Sequence, residues 1–307
     1  MTIIEPKVEV IAESNPFKKI EMASRTCYKS ERNITEDSAI KMYNRLVKSN
    51  HTAMLEHATF IFSTNWTVYN EAKKNPFLHA TETLIDLTDT SFKVRYIVSG
   101  NLRAINESRI DALIGCLGLN GLGFGLLAYA TWSPEAWASS KDVDQTRLIF
   151  FEDIKNPTEE EIRAHKYTTM RFVTDRGVTH EMVRHRLFGF AQESTRYVNY
   201  TKEQFGNGDI KFIKPAGYDE WSADDRQFFD EGLVEAENRY NGLIARGFTP
   251  QQARAVLPSA TKTEIIVTGN DAEWQHFFNL RSKGTTGAPH PDMKIVADMA
   301  FALYETA

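Results

Sequence analysis

Cysteine is nearly absent from this chain. Cys27 and Cys116 are the only two among 307 residues. They are too few for a disulfide framework or a four-ligand metal centre, and a reducing, cytoplasmic setting is the expectation that follows. Long apolar runs are missing too. The stretch around Leu113 to Tyr129 is broken by glycines and Asn120 and is too short for a membrane span. The amino terminus has no basic region followed by a small-residue cleavage site, so no membrane partner is expected. Positive charge is not in excess: 36 basic and 41 acidic residues leave a formal net charge of -5. That balance argues against broad binding to a nucleic-acid backbone, while leaving room for a local basic pocket. The glycines at 115, 118, 121, 123 and 125 lack phosphate-loop spacing and the attendant Lys-Ser pair, and read as loops and close packing. His51 and His57 match no zinc spacing, and no metal site is expected. No internal repeat is apparent.

What remains is a globular composition, 42% hydrophobic and 25% charged, with enough chain for a large core. Residues 7 to 14 alternate as an edge strand does. Thr35 to Val47 reads as a helix with Thr35 as cap and Ile40, Tyr43 and Val47 on one face. The Ala58 to Thr64 run is strand-like. From about 65 to 165 the signals are mostly helical, including a run from a Gly100-Asn101 cap through Leu102 to Ile114, and Thr158 caps a further helix. TTMRFVTD, ending at Asp175, reads as a strand, and Gly177 marks the turn that follows. Trp221 to Arg246 is helical. Thr249 caps a helix with Pro250 in its first position. TKTEIIVTG is a strand, and Asn270 to Arg281 a helix.

The densest chemistry lies between Arg184 and Tyr197, where three arginines, a histidine, an amide, a carboxylate and hydroxyls fall within fourteen residues. Guanidinium groups stay charged and present a rigid fork of donors, which suits phosphate and other planar anions. The composition leaves three readings open: a nucleotide-like small-molecule site, a structural salt-bridge network, or a nucleic-acid patch. Cys27, close to Arg25, reads either as an activated thiolate or as a small buried hydrophobe. His57 reads as a cofactor contact or as a histidine satisfied by local backbone.

Arg184-His185-Arg186, seven residues, then Ser194, with Arg196-Tyr197 following, resembles the signature of the flavin-dependent thymidylate synthase family. PQQARAVLP with Arg254, Asn270 twelve residues beyond Pro258, FFNLR ending in Arg281, and EHATFIF with His57 resemble further segments of it. The resemblance implies reductive methylation of dUMP to dTMP, with FAD as cofactor and methylenetetrahydrofolate and NADPH as co-substrates. It places Glu181, Arg184, Gln192, Glu193, Ser194, Thr195, Arg196, Arg254 and Arg281 against dUMP, with Arg281 as the catalytic cation on the uracil ring. It places His57, Arg184, His185, Arg186, Asn270, His276 and Leu280 against FAD. It also implies a homotetramer with sites between subunits, and no catalytic cysteine. Gly189, Ala191, Gln192, Glu181 and His276 depart from the residues many relatives carry.

The expected fold is α+β: a mixed or antiparallel sheet surrounded by helices, in a single catalytic domain spanning 1–307 with a large, mainly helical insertion at about 66–165. Two other readings are an RNA-binding or nucleotide-sensing protein, and a flavin oxidoreductase without methyl transfer.

Overall fold

The computed structural model describes residues 1–88, 91–117 and 145–306. The glycines at 118 to 125 and the far end of the apolar run lie outside the described residues. In chain order the elements are β1 (Thr2–Ile4), β2 (Lys7–Val10), α1 (Pro16–Tyr28), α2 (Ser38–Lys48), a 3-10 turn (Thr52–His57), β3 (Thr59–Thr64), α3 (Trp66–Ala72), β4 (Leu78–Thr88) and β5 (Ser91–Asn101). There follow α4 (Leu102–Ser108), α5 (Asp111–Cys116), β6 (Arg147–Ile149), α6 (Glu159–His165), β7 (Tyr167–Asp175), α7 (Arg176–Met182) and β8 (Gly189–Gln192). The chain ends with β9 (Lys211–Ile213), α8 (Ala223–Ala245), α9 (Pro250–Ala253), β10 (Lys262–Asn270), α10 (Asp271–Arg281) and α11 (Pro291–Glu305). The fold is α+β. A central antiparallel sheet has the order β2-β7-β10-β8, a second sheet has the order β4-β5-β3-β6, and β1 and β9 form a short parallel pair.

The central sheet is covered on both faces because β10 alternates. Ile265 and Val267 join Met170 and Phe172 of β7 against Trp274, Phe277 and Phe278 of α10 and Met293, Val296 and Ala300 of α11. Ile266, with Ala191 of β8, turns the other way into the core built by α1, α2 and the 3-10 turn. Successive side chains on a strand point to opposite faces, so register decides what each face carries. The polar residues of β10 obey the same parity. Lys262, Glu264 and Thr268 lie on the α1 face, where Glu264 pairs with Lys29, Arg171 and Lys262. Burial alone pushes the Glu264 carboxyl up, but the Lys262 and Lys29 ammonium groups more than offset it and hold the group well below the usual range.

The second sheet is joined to the first through α6. Arg95 of β5 grips Glu161 through Nε at 2.7 Å and Nη2 at 2.5 Å. His165 is sandwiched between Thr81 Oγ1 at 2.8 Å and Ser99 Oγ at 2.7 Å. The insertion thus carries two eleven-residue strands where the sequence signals are mostly helical, and its helices flank them. Leu78, Ile97 and Val98 are buried, with β5 paired to β4 on one side and to β3 on the other. Such non-local pairing leaves little mark in a local window.

Smaller differences also have physical causes. The run expected from Leu102 to Ile114 breaks at Arg109, which adopts φ 58° and separates α4 from α5. Helix α2 begins at Ser38, not beside Thr35. It buries Ala39, Met42, Tyr43 and Leu46, a set spaced i, i+3, i+4, i+7, and leaves Val47 exposed. Gly177 lies inside α7, whose cap is Asp175 accepting from Val178 N at 2.8 Å. The edge strand expected over 7–14 starts at Lys7 but ends at Val10, while the Thr158 and Thr249-Pro250 helix starts and the strands at 59–64, 167–175 and 262–270 stand where the sequence puts them.

Candidate functional site

Strand β8 carries the arginine-rich segment along one edge of the central sheet, with α7 leading into it and a loop through Ser194 to Tyr197 leaving it. At its upstream end Arg281, the last residue of α10, reaches back across about a hundred residues of sequence. Its Nη1 donates to Glu181 Oε2 at 2.7 Å, its Nη2 to the Glu181 carbonyl at 3.4 Å, and its Nε to His185 Nε2 at 3.2 Å. His185 is buried against Phe188, His276 and Phe277. Burial first, then the Arg281 and His276 charges, push its pKa down to about 4. It is therefore a neutral acceptor at pH 7, with its own proton on Nδ1. His276 is exposed and Leu280 half-buried on the same helix.

At the downstream end the guanidinium groups are open. Arg196 is exposed, its guanidinium 5.5 Å from the Tyr197 ring centroid, while its backbone N–H donates to Ser194 Oγ at 3.3 Å. Arg254 is exposed and donates to Thr195 Oγ1 at 3.0 Å. Neither makes an ion pair among the described residues, and the same holds for the exposed Arg184 and Arg186. Two residues assigned to dUMP are engaged elsewhere. Gln192 donates to Thr179 and Thr263 hydroxyls, and Glu193 accepts from Lys262 Nζ at 2.9 Å and from Tyr200 OH at 3.4 Å.

The residues assigned to FAD divide as well. Asn270 caps α10 through Glu273 N at 3.1 Å, turns its amide N–H₂ toward His79 Nε2 and the Ala164 carbonyl, and lines a cavity of about 250 Å³ together with Arg186. Arg184, His185, His276 and Leu280 do not line that cavity, and neither does His57. His57 is wholly enclosed, with Nδ1 bonded at 2.9 Å to Thr268 Oγ1 and Nε2 without a hydrogen-bond partner among the described residues. Burial pushes its pKa down to about 4. Thr268, its partner, does line the cavity. The cavity's donor set suits a flat heterocycle with polar edges: a free guanidinium, an amide and hydroxyls beside Phe77, Leu187 and Phe188.

Cys27 is buried, its thiol pushed up to about 12 by burial, with Met54 Sδ at 3.9 Å. It is a packed hydrophobe, not an activated nucleophile. Sequence reasoning passed over Thr268, Thr169, Thr179 and Lys262. For Thr169, Lys262 and Thr268 the signal is the period-2 alternation of β7 and β10, which assigns faces but not partners; Thr179 sits in α7, outside that pattern. Among the described residues no group of His, Cys, Asp and Glu is arranged to hold a metal ion, and no helix is long and apolar enough to cross a membrane.

An α+β protein with guanidinium groups gathered at both ends of one sheet-edge strand is the class that fold and site define. The chain matches the family described as "Thymidylate synthase complementing protein" over residues 9–68 and 127–306, and it belongs to that family, the flavin-dependent thymidylate synthases. The unmatched stretch between them holds β4, β5, α4 and α5. Similar proteins include the flavin-dependent thymidylate synthase of Mycobacterium marinum, 35% identical over 134 residues (39% of this chain, 49% of that one). The enzyme of the same name from Corynebacterium efficiens is 35% identical over 136 residues, 40% of this chain and 50% of that one. The match thus spans about half the length of these relatives. Among solved structures, a UMP/dUMP methylase PolB from Streptomyces cacaoi bound with 5-Br UMP aligns over 100% of this chain and 92% of that one, with TM-score 0.42 and 14% identity.

Proposed function

We propose that the chain catalyses the FAD-dependent reductive methylation of dUMP to dTMP, with methylenetetrahydrofolate as one-carbon donor and NADPH as reductant. The observation that carries this reading is the convergence of Arg281, from FFNLR, on His185, from Arg-His-Arg, and on Glu181, residues about a hundred positions away. A cation held in one direction by two partners is preorganised for negative charge developing on a uracil ring. Arg281 is then the catalytic residue: being always protonated, it polarises N3 and the adjoining carbonyl, making C5 more electron-rich. Arg196 and Arg254, free to make charge-assisted bidentate bonds, take the 5′-phosphate, with Ser194 and Thr195 as neighbouring hydroxyls. Arg184 serves both ligands, Gln192 and Glu193 complete the substrate set, and Glu181 joins it through Arg281, which it holds in place. FAD, when bound, supplies the methylene relay and the reducing equivalent. Arg186 and Asn270 hold its ring in the cavity between the sheets, His276 and Leu280 extend the site from α10, and His185 extends it from the turn after α7. His57 supports it from behind, through Thr268.

We place this chemistry in a single catalytic domain, 1–307, with the insertion at about 66–165, in a cytoplasmic homotetramer whose active sites lie between subunits. Supporting the assembly, Arg184, Arg186, Arg196, Arg254 and His276 are exposed on the single chain, as are the apolar Val183, Leu187 and Tyr197 beside them. No nucleic-acid or membrane partner is part of the reading. The test is dTMP formation from dUMP by purified protein with FAD, NADPH and methylenetetrahydrofolate. NADPH oxidation without dTMP or release of label from 5-tritiated dUMP counts instead for a plain flavin oxidoreductase.

A further inference from the structure

The cavity that Arg186 and Asn270 line has a second wall, which the insertion supplies. Phe77, just before β4, and His79, in its second position, line the cavity together with Leu187 and Asn270. Phe77 is 63% exposed and Leu187 61%. Two large apolar side chains facing one cavity from different segments, each left uncovered, are what a bound ring would cover.

His79 is placed with more constraint. Its ring meets Tyr167 edge-on at 6.3 Å, and its Nε2 lies 3.3 Å from the Asn270 amide nitrogen. Its Nδ1 has no hydrogen-bond partner among the described residues. Burial lowers its pKa, so the ring is neutral at pH 7. The wall is firmly held, because Thr81 and Ser99, on the same face of the hairpin as His79, grip His165, and Arg95 grips Glu161. Arg103, also on this wall, is already neutralised by Glu56 at 2.8 Å and Glu107 at 2.9 Å, which leaves Arg186 as the unpaired cation of the cavity. At about 250 Å³ the space falls below the roughly 300–1,000 Å³ of sites that enclose a whole drug-sized ligand. It takes one fused ring system, not a complete dinucleotide.

We infer that the insertion is part of the cofactor site: Phe77 covers one face of a flat heteroaromatic ring, Leu187 lies across from it, and His79 addresses the ring's polar edge. Resting on the function proposed above, that ring is the isoalloxazine of FAD.

The experiment is a titration of the full-length, flavin-free protein with FAD, read by flavin fluorescence and by the visible absorption of bound flavin. Variants are Phe77→Ala, His79→Ala and His79→Gln, the last preserving a hydrogen-bonding side chain beside Asn270. Phe77→Ala is expected to weaken FAD binding about tenfold, the scale of a lost aromatic contact with its buried area. Its flavin-free unfolding temperature should stay unchanged, since an exposed side chain is lost. His79→Ala is expected to shift the absorption of bound flavin, and His79→Gln to shift it less. Wild-type FAD affinity and an unshifted spectrum in Phe77→Ala and both His79 variants overturn the inference while leaving the flavin reading intact. Weakened dUMP or NADPH binding with FAD affinity unchanged overturns the choice of ring. A wild-type protein that takes up no FAD at all sinks the functional reading itself.

Discussion

Across β8, Arg281 on the upstream side and Arg196 and Arg254 on the downstream side are held in opposite conditions. Upstream, Arg281 is partly buried and tied to Glu181 and His185. Downstream, the exposed Arg196 guanidinium lies over a tyrosine ring and makes no ion pair among the described residues, and Arg254 has one hydroxyl. A fixed guanidinium has lost its freedom before a ligand arrives, so its field is aimed and little reorganisation is needed when charge develops. A free one keeps its conformational entropy until binding and then gains from two charge-assisted hydrogen bonds. The difference separates a residue built for the reacting ring from residues built for capture.

The largest effect expected is that of Arg281→Ala. In assembled, flavin-loaded protein at saturating dUMP, the rate of dTMP formation should fall by about 3 kcal/mol of barrier, roughly a hundredfold, as for a removed oxyanion donor. Reduction of bound flavin by NADPH should survive, because that half-reaction does not involve uracil. Near-normal dTMP formation with flavin occupancy intact removes Arg281 from the chemistry and dissolves the comparison.

Arg196→Ala should show the complementary pattern. Losing a charge-assisted bond at an exposed site weakens dUMP binding by roughly 2 kcal/mol, about thirtyfold, with kcat at saturation little changed. The weakening should shrink as ionic strength rises. A variant that loses kcat but keeps its dUMP affinity has the two ends of β8 assigned the wrong way round.

How much of this was legible in the sequence follows from the same physics. Spacing carries the residue types of the site, and β7, β10 and α10 are legible from their own apolar and β-branched runs, β10 being buried on both faces. The partners were hidden. Nothing in FFNLR says that Arg281 will meet Glu181, since the contact depends on how α10 packs over β7 and β10. The hairpin of β4 and β5 lies in a stretch whose local signals are mostly helical, and its pairing with β3 crosses more than thirty residues. His57 was expected as a cofactor contact from a local motif, and only the fold shows it enclosed behind Thr268.

A smaller effect is set by pH at the fixed end. The folded pKa of His185 lies at about 4, below the ordinary value of about 6.5. The unfolded chain takes up the proton first, so the stabilising contribution is complete above pH 6.5 and is lost as pH falls toward 4. Protonation also turns Nε2 from acceptor into donor and breaks the bond from Arg281. At pH 5.5 the loss from this group is roughly 1 kcal/mol relative to pH 7.5. His57 and His165, with pKa values at about 4 and about 3, titrate in the same direction. The measurement is therefore the difference between wild type and His185→Asn in urea midpoint at the two pH values. Equal losses in both proteins rule out His185 as a contributor.

The smallest effect sharpens the comparison most, because Glu181→Gln converts the fixed end toward the open one without removing a side chain. Glutamine keeps an acceptor near Arg281 Nη1, and the bond from Nη2 to the residue 181 carbonyl does not depend on the side chain. Both members of the ion pair are partly exposed, at 19% and 32%, so its net contribution to stability is below about 1 kcal/mol. Unfolding should shift by no more than that. The carboxylate has a second consequence: its charge offsets Arg281 and repels an anionic ligand. Removing it should tighten dUMP binding by a few-fold, an effect that fades as salt is added. If Glu181→Gln instead weakens dUMP tenfold or more at unchanged stability, the carboxylate is itself an acceptor for the ligand. Glu181 would then bind the substrate directly, and the pairing with Arg281 would be broken and remade as dUMP enters.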